Sequence, residues 1–304
     1  MGQTYFLGVP FNAGQGRRGT ARAPAAFREN CPELFVEAWH DLGDVPAPDY
    51  HGREAAIQHA HCVSKKIQAM DLNKNFLAIM GGDHGQGLGT VHGLLHHHPD
   101  LIVVWLDAHA DANIPSSSPT GNMHGMPLSW LLGAQEGAPW WQQRTLSPKR
   151  LLYVGTRDMD PYERMLIEEL DIAMITPEEA RGPNLEKAII RELRRMDPHG
   201  KCPVHISLDV DVIDAGLINN TGTRVENGLS FEEVNTTLKV IAREQRVVSA
   251  EVVEINPELG SVEETEKLCL WAKDIMTSLI PAPQKVFPLR ALKNAFSEEW
   301  RRSL

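Results

Sequence analysis

Cysteine is scarce in this sequence: four residues in 304, Cys31, Cys62, Cys202 and Cys269, none at metal-ligand spacing. That excludes a disulfide framework and a cysteine zinc site, and points to reduced, buried thiols and a cytoplasmic location. Long hydrophobic runs are missing too. Nothing approaches the length of a membrane span, so no membrane partner is expected. Basic residues are in deficit, 30 Lys and Arg against 40 Asp and Glu, giving a formal net charge of −10. This balance argues against nucleic acid as a partner and fits a cationic small molecule. Linkers are lacking as well, since no Pro-, Ser- or Gly-rich stretch divides the chain and no segment repeats. One domain over residues 1–304 is expected, with a tail from 281 to 304 available for contacts between subunits. The N-terminal stretch lacks the basic region and apolar core of a signal peptide, so Tyr5–Pro10 is expected to be a first strand.

What the sequence does have is three apolar runs that end in metal-type ligands. Ile102-Val-Val-Trp-Leu106 runs straight into Asp107-Ala-His109-Ala-Asp111. The apolar part predicts a short strand buried on both faces, as in a parallel sheet. Side chains alternate along a strand, so Asp107, His109 and Asp111 are expected on one side at its carboxyl end. Val204-His-Ile-Ser-Leu208 ends in Asp209-Val-Asp211, and Phe76-Leu-Ala-Ile-Met80 ends in Gly81-Gly-Asp83-His84. Open α/β sheets bind ligands beyond the carboxyl ends of their strands. Together these ends supply His84, Asp107, His109, Asp111, Asp209 and Asp211, more than one tetrahedral zinc takes. The set suits two divalent ions sharing carboxylates, and its oxygen-rich character favours Mn²⁺-like ions over Zn²⁺. Two ions about 3.5–4 Å apart can lower the pKa of a water held between them, giving a hydroxide nucleophile near neutral pH.

At these residues the chain resembles a known family. Gly81-Gly-Asp-His84, Asp107-Ala-His-Ala-Asp111, Ser207-Leu-Asp-Val-Asp211 and Ser249-Ala-Glu-Val-Val-Glu254-Ile-Asn-Pro257 are similar, in this order, to the ureohydrolase signatures, most closely those of arginases. The likeness runs from about Tyr5 to Gly260. It implies a three-layer αβα sandwich around a mainly parallel sheet of about eight strands. It implies two Mn²⁺ per subunit, with Co²⁺ or Ni²⁺ as substitutes, and a homotrimer or homohexamer. One ion would be held by His84, Asp107, Asp111 and Asp209, the other by Asp107, His109, Asp209 and Asp211. The hydroxide between them would attack a guanidinium carbon. Asp111 would hydrogen-bond that hydroxide and pass its proton to the leaving amine, and His124 would serve as general acid/base or proton shuttle. The expected reaction is hydrolysis of L-arginine to L-ornithine and urea.

The substrate end is read partly from the residues themselves. Glu254 closes a strand at the same sheet edge, where a carboxylate can take a planar cation bidentately. The loop from Asn113 to Asn122 offers the neutral donors Asn113, Ser118, Thr120 and Asn122 and no carboxylate, as a substrate carboxylate requires. Asp160 and Glu163 would accept from the α-ammonium, and these positions resemble the amino-acid-binding residues of arginases. The Gly-rich basic loop from Phe11 to Gly19 is expected near the site mouth, with no residue given a role. Gly85, Ala215, Asn219-Asn220 and Arg224 depart from the family pattern without removing a ligand, so they bear on loop shape. Three other readings compete: hydrolysis of N-hydroxy-L-arginine, agmatine or guanidinobutyrate; a metal-free regulatory relative, which would have lost ligands; and a single-zinc amide hydrolase, which would need fewer carboxylates.

The rest of the pattern alternates strands and helices. Helices are expected over 25–30, 54–70, 126–132, 185–196, 231–244 and 262–280, a helix ending at His96-His97-His98 as a solvated cap, one running to Leu170, and a last one over 291–302. Further strands are expected over 36–42, 150–157, 172–176 and 247–255. That alternation argues for a parallel sheet covered on both faces.

Overall fold

Ile102 to Leu106 has no side facing water. Ile102, Val104 and Leu106 enter one hydrophobic cluster, and Val103 and Trp105 enter another on the opposite face. The structure, a computed structural model, describes residues 2–48, 52–135 and 145–281. In it this segment is one of eight strands: β1 (Thr4–Val9), β2 (Trp39–Asp44), β3 (Phe76–Gly81), β4 (Ile102–Leu106), β5 (Leu151–Val154), β6 (Ala173–Ile175), β7 (Pro203–Asp209) and β8 (Arg246–Val253). They form a single sheet in the order β2-β1-β3-β8-β7-β4-β5-β6, and every pairing is parallel. The three strands expected to carry metal ligands, β3, β7 and β4, and β8, which leads to Glu254, are therefore consecutive neighbours at its centre.

Among the described residues, ten helices join and cover the strands: α1 (Ala23–Asn30), α2 (Pro32–Glu37), α3 (Arg53–Gln68), α4 (Gly87–His97), α5 (Pro127–Leu131), α6 (Pro161–Glu169), α7 (Pro177–Arg181), α8 (Leu185–Met196), α9 (Phe231–Glu244) and α10 (Val262–Leu279). One face packs Phe27 of α1, Ile189 and Leu193 of α8, Leu238 and Ile241 of α9 and Ile275 of α10 against the sheet. The other packs Val63 and Ile67 of α3, Leu88, Val91 and Leu94 of α4 and Trp130 of α5. This is the expected α/β sandwich of three layers. Each fully buried Leu, Ile or Val contributes about 1.5–3 kcal/mol of transfer free energy, so these two layers dominate stability. The Ser230–Glu233 pair forms the reciprocal capping box that its spacing announces, and Ser261–Glu264 forms another.

Three local expectations change. The strand placed over 36–42 begins only at Trp39, because Pro32 starts a short helix that runs to Glu37 and leaves Val36 exposed. Helix α7 is additional, set by Thr176 and Glu179 in a capping box around Pro177. The triple histidine at the end of α4 is not simply solvated, since His97 Nε2 lies 2.9 Å from the Ile67 carbonyl of α3. The helix over 291–302 and the tail from residue 282 lie outside the described residues. Among those described, no helix is long and apolar enough to cross a membrane.

Candidate metal centre and substrate cavity

Strand β4 stops at Leu106, so the three ligands after it lie in a loop rather than along an alternating strand. Their convergence has a different cause from the one expected. Asp111 sits in the left-handed region at φ 50°, which turns the chain so that its carboxylate folds back beside Asp107. Glu254, just past β8, does the same at φ 64°. Non-glycine residues there cost on the order of 1–3 kcal/mol each, and such strain gathers where function needs it. Asp209 is the last residue of β7, and its carboxylate accepts from the Asp211 N–H at 2.8 Å, shaping a single 3₁₀ turn over Val210–Val212 that presents Asp211. After β3, Asp83 caps a similar turn, His84–Gln86, through the Gly85 N–H.

These turns bring the six expected ligands together. His84 Nδ1 lies 2.9 Å from Asp107 Oδ2, 3.1 Å from Asp111 Oδ2 and 3.3 Å from Asp209 Oδ2. His109 Nδ1 lies 3.4 Å from Asp107 Oδ1 and 3.1 Å from Asp211 Oδ2. Two groups of donors close enough to share an ion result, His84-Asp107-Asp111 and Asp107-His109-Asp211, with Asp107 in both. Burial, then the neighbouring Asp107 charge, pushes the Asp111 carboxyl up to about 7. Burial and the charges of Asp211 and Asp107 raise Asp209 well above the carboxylate range. Burial would push His84 down, but its hydrogen bonds to the surrounding carboxylates carry it well above its ordinary value. So much crowded negative charge calls for cations. The donor set fits divalent metal.

Behind the ligands lies a second layer that sequence reading did not single out. The Ser207 hydroxyl donates to Glu251 Oε1 at 2.7 Å, and His84 Nε2 lies 2.8 Å from the same hydroxyl oxygen. Glu251 is fully buried, and although burial opposes ionisation, its hydrogen bond with His205 and neighbouring charges bring its carboxyl down to about 2. With its only proton given to Glu251, Ser207 must accept from His84 Nε2–H. Nε2 therefore carries hydrogen toward Ser207, which leaves Nδ1 as the ring atom that faces the carboxylates and would serve a metal. Gln86 Nε2 donates to the other Glu251 oxygen at 3.0 Å. Trp105 stacks on His84 at 3.9 Å between ring centroids and donates Nε1–H to Asp107 Oδ2 at 3.0 Å. Opposite this layer, the Thr223 hydroxyl donates to Asp211 Oδ2 at 2.9 Å.

A cavity of about 300 Å³ opens beside the ligands, lined by His109, Asp111, Asp209 and Thr223 at the metal side. His124, Asn113, Ser118, Thr120, Asn122, Asp160 and Glu163 complete it, so every expected substrate residue but one is brought there. Ser118 Oγ accepts from Gly121 N and Thr120 Oγ1 from Asn122 N, which leaves hydroxyl protons to donate. Asn113 Nδ2 donates to Asp160 Oδ2 at 2.5 Å, while Glu163 takes the N–H groups of Ala112 and Asp160, one on each oxygen. The exception is Glu254, which is 1% exposed and does not line the cavity. Its Oε1 lies 3.3 Å from His124 Nδ1. Burial opposes a charged His124, but Glu254, Asp83 and Asp111 outweigh it and push the imidazole up to about 9. The departures Asn220 and Arg224 tie the loop after β7 in place, Asn220 through Thr265 of α10 and Arg224 through the Ile218 carbonyl and Asn219. A side chain at Gly85 would place its Cβ 2.9 Å from Asp83 Oδ1, which is the local consequence of glycine there.

Comparison with known proteins agrees with this geometry. The chain is 32% identical to an arginase of Schizosaccharomyces pombe over 292 residues, 90% of each chain. Among solved structures, the arginase of Bacillus caldovelox superposes with a TM-score of 0.80 at 30% identity, over 93% of this chain and 100% of that one. An Entamoeba histolytica arginase solved in complex with L-ornithine gives 0.79 at 27% identity, over 92% of this chain and 99% of that one. Fold and site together define a hydrolase of the ureohydrolase class. The model of the arginase family matches residues 3–280, and the chain belongs to that family.

Proposed function

We propose that this protein hydrolyses the guanidino group of L-arginine to L-ornithine and urea, with two Mn²⁺ held by His84, Asp107, Asp111 and Asp209 and by Asp107, His109, Asp209 and Asp211. The observation that carries the reading is Asp107, whose two oxygens serve two separate donor groups. When bound, the ions supply a nucleophile at neutral pH and stabilise developing negative charge. Asp111, whose carboxylate lines the cavity, takes up a proton from the nucleophile and delivers it to the leaving nitrogen. His124, held at Nδ1 by Glu254 and lining the cavity, is placed to hand a second proton to the leaving amine. Glu254 receives the guanidinium. Asp160 takes the α-ammonium, the Ser118, Thr120 and Asn122 side chains take the α-carboxylate, and Asn113 and Glu163 brace that wall. The reading extends to a cytoplasmic homotrimer or homohexamer built from one catalytic domain per chain.

The test compares kcat/KM for L-arginine, N-hydroxy-L-arginine, agmatine and 4-guanidinobutyrate on Mn²⁺-loaded protein. A wall built for an ammonium and a carboxylate rejects analogues lacking either, because its own groups are left unpaired. L-arginine should be preferred by a wide margin over agmatine and guanidinobutyrate. Agmatine equal to or better than arginine refutes the assignment. Asp160→Ala should raise KM for arginine and leave guanidinobutyrate, which has no ammonium, little changed.

A further inference from the structure

Glu254 is already engaged. Gln15 Nε2 donates to both of its carboxylate oxygens, at 2.9 and 2.8 Å. Oε1 also accepts from the His84 N–H at 2.9 Å and faces His124 Nδ1. A carboxylate has about four acceptor positions, so Oε1 is full and Oε2 keeps room for one donor. A guanidinium fork needs two parallel positions. The amide of Gln15 therefore covers the place a guanidinium would take, and it leaves Glu254 outside the cavity. The loop that carries Gln15 is pinned on both sides of it: Gly14 N–H donates to Asp83 Oδ2 at 2.8 Å, the His124 N–H donates to the Gly14 carbonyl at 3.2 Å, and Asn256 Nδ2 donates to the Arg18 carbonyl at 2.8 Å. Between those anchors Gly16, Arg17 and Arg18 are exposed and Gln15 is half-buried, so the side chain can swing without unpicking the loop.

We propose that Gln15 is a gate on Glu254 that occupies this carboxylate in the free site and lowers the affinity of every ligand that must displace it, substrate and product alike. The inference rests on the reading of Glu254 as the guanidinium acceptor. Urea also offers two nitrogens to a carboxylate, but it is neutral, so it gains less than a cation does on displacing the Gln15 amide. A guanidinium adds a positive charge and a second parallel N–H, and displaces the amide. Once hydrolysis has removed the charge, Gln15 reclaims Glu254 and urea loses its place. The apparent affinity of any ligand for Glu254 is lowered by the fraction of time Gln15 occupies it. Gln15 is thus a positioning residue that limits how tightly any ligand is held, acting through Glu254.

The test uses Gln15→Ala and Gln15→Asn in the metal-loaded protein, the Asn variant keeping the amide but falling one methylene short. Both should lower KM for arginine and strengthen inhibition by urea, the latter roughly tenfold if the gate is closed about nine-tenths of the time, with no rise in kcat. Calorimetric titration with guanidinium ion and with urea should show the same tightening without turnover. A higher KM, or unchanged constants for both probes, overturns the gate and leaves Gln15 a simple brace. Glu254→Gln, run alongside, separates the two ideas. If that change leaves guanidinium binding intact, the acceptor reading fails and the gate falls with it. If it weakens binding while the Gln15 variants do not tighten it, the gate alone is wrong.

Discussion

Replacing Ser207 by Ala deletes one oxygen and removes the hinge between Glu251 and His84. The 2.8 Å and 2.7 Å contacts on that oxygen both vanish. His84 is 1% exposed, so its Nε2–H is left buried without an acceptor, at a cost of about 1–3 kcal/mol. The ring is then no longer held to the form that aims Nδ1 at Asp107, Asp111 and Asp209. Losing such an outer partner weakens metal binding roughly 10- to 100-fold, or about 1.4–2.8 kcal/mol. The assay is titration of chelator-stripped protein with Mn²⁺, read by calorimetry and by metal content after dialysis, together with thermal melting with and without metal. The expected result is one weakened ion of two and a Tm lower by a few degrees, the deficit growing when metal is present. Mn²⁺ affinity equal to that of the parent protein, in a variant that still folds, would refute the argument that Ser207 sets the proton arrangement of His84.

Other outcomes follow from the same geometry. Chelation should abolish activity and Mn²⁺ should restore it best, with Asp107→Asn the most damaging ligand change because both donor groups share that residue; full turnover by stripped protein would sink the mechanism. His124→Asn should fold and keep both ions in elemental analysis while kcat falls roughly 10²–10⁴-fold, whereas loss of metal would reassign it as a ligand. His59 stacks on Phe11 at 4.7 Å, and burial pushes its pKa down from 6.5 to about 4. A histidine depressed in the folded state is protonated first in the unfolded chain, so its contribution is complete above pH 6.5 and is lost as pH falls toward 4. His59→Phe, which keeps the stack, should therefore flatten that part of the Tm-against-pH curve; an unchanged slope between pH 4 and 6.5 would assign the acid sensitivity elsewhere.

The clustering of the six candidate ligands was legible in the sequence because each follows an apolar run whose burial on both faces leaves few alternatives to a central parallel strand. The reason for convergence was not. Strand alternation carries Asp107 only to the edge of β4, and a left-handed turn at Asp111, which residue type does not announce, does the rest. Trp39 and Val36 show the limit for edges, since a proline at residue 32 outweighs the β-branched and aromatic character of the next few residues. Ser207 and Glu251 both lie in motifs that the sequence displays, yet their partnership exists only because β7 and β8 pair with these two residues opposite each other. Gln15 is 239 residues from Glu254, and Thr223 reaches Asp211 across a loop with no periodicity. Contacts of that kind come from topology, and a one-dimensional pattern carries no trace of them.

The order β2-β1-β3-β8-β7-β4-β5-β6 also has a consequence for how this molecule comes into being. Strands β3 and β4 are separated by only 20 residues of chain, yet in the finished sheet two other strands lie between them. Those two, β7 and β8, are the last to leave the ribosome. Until they arrive, β1–β3 and β4–β6 are separate three-stranded pieces, each with an apolar inner edge open to pairing with a neighbouring chain. Insertion of β7 and β8 joins the pieces, hides both edges and carries Asp209, Asp211 and Glu254 to the waiting His84, Asp107 and His109. The candidate metal centre thus lies on the seam along which the two pieces are joined, and its donor set is complete only once the exposed edges have disappeared.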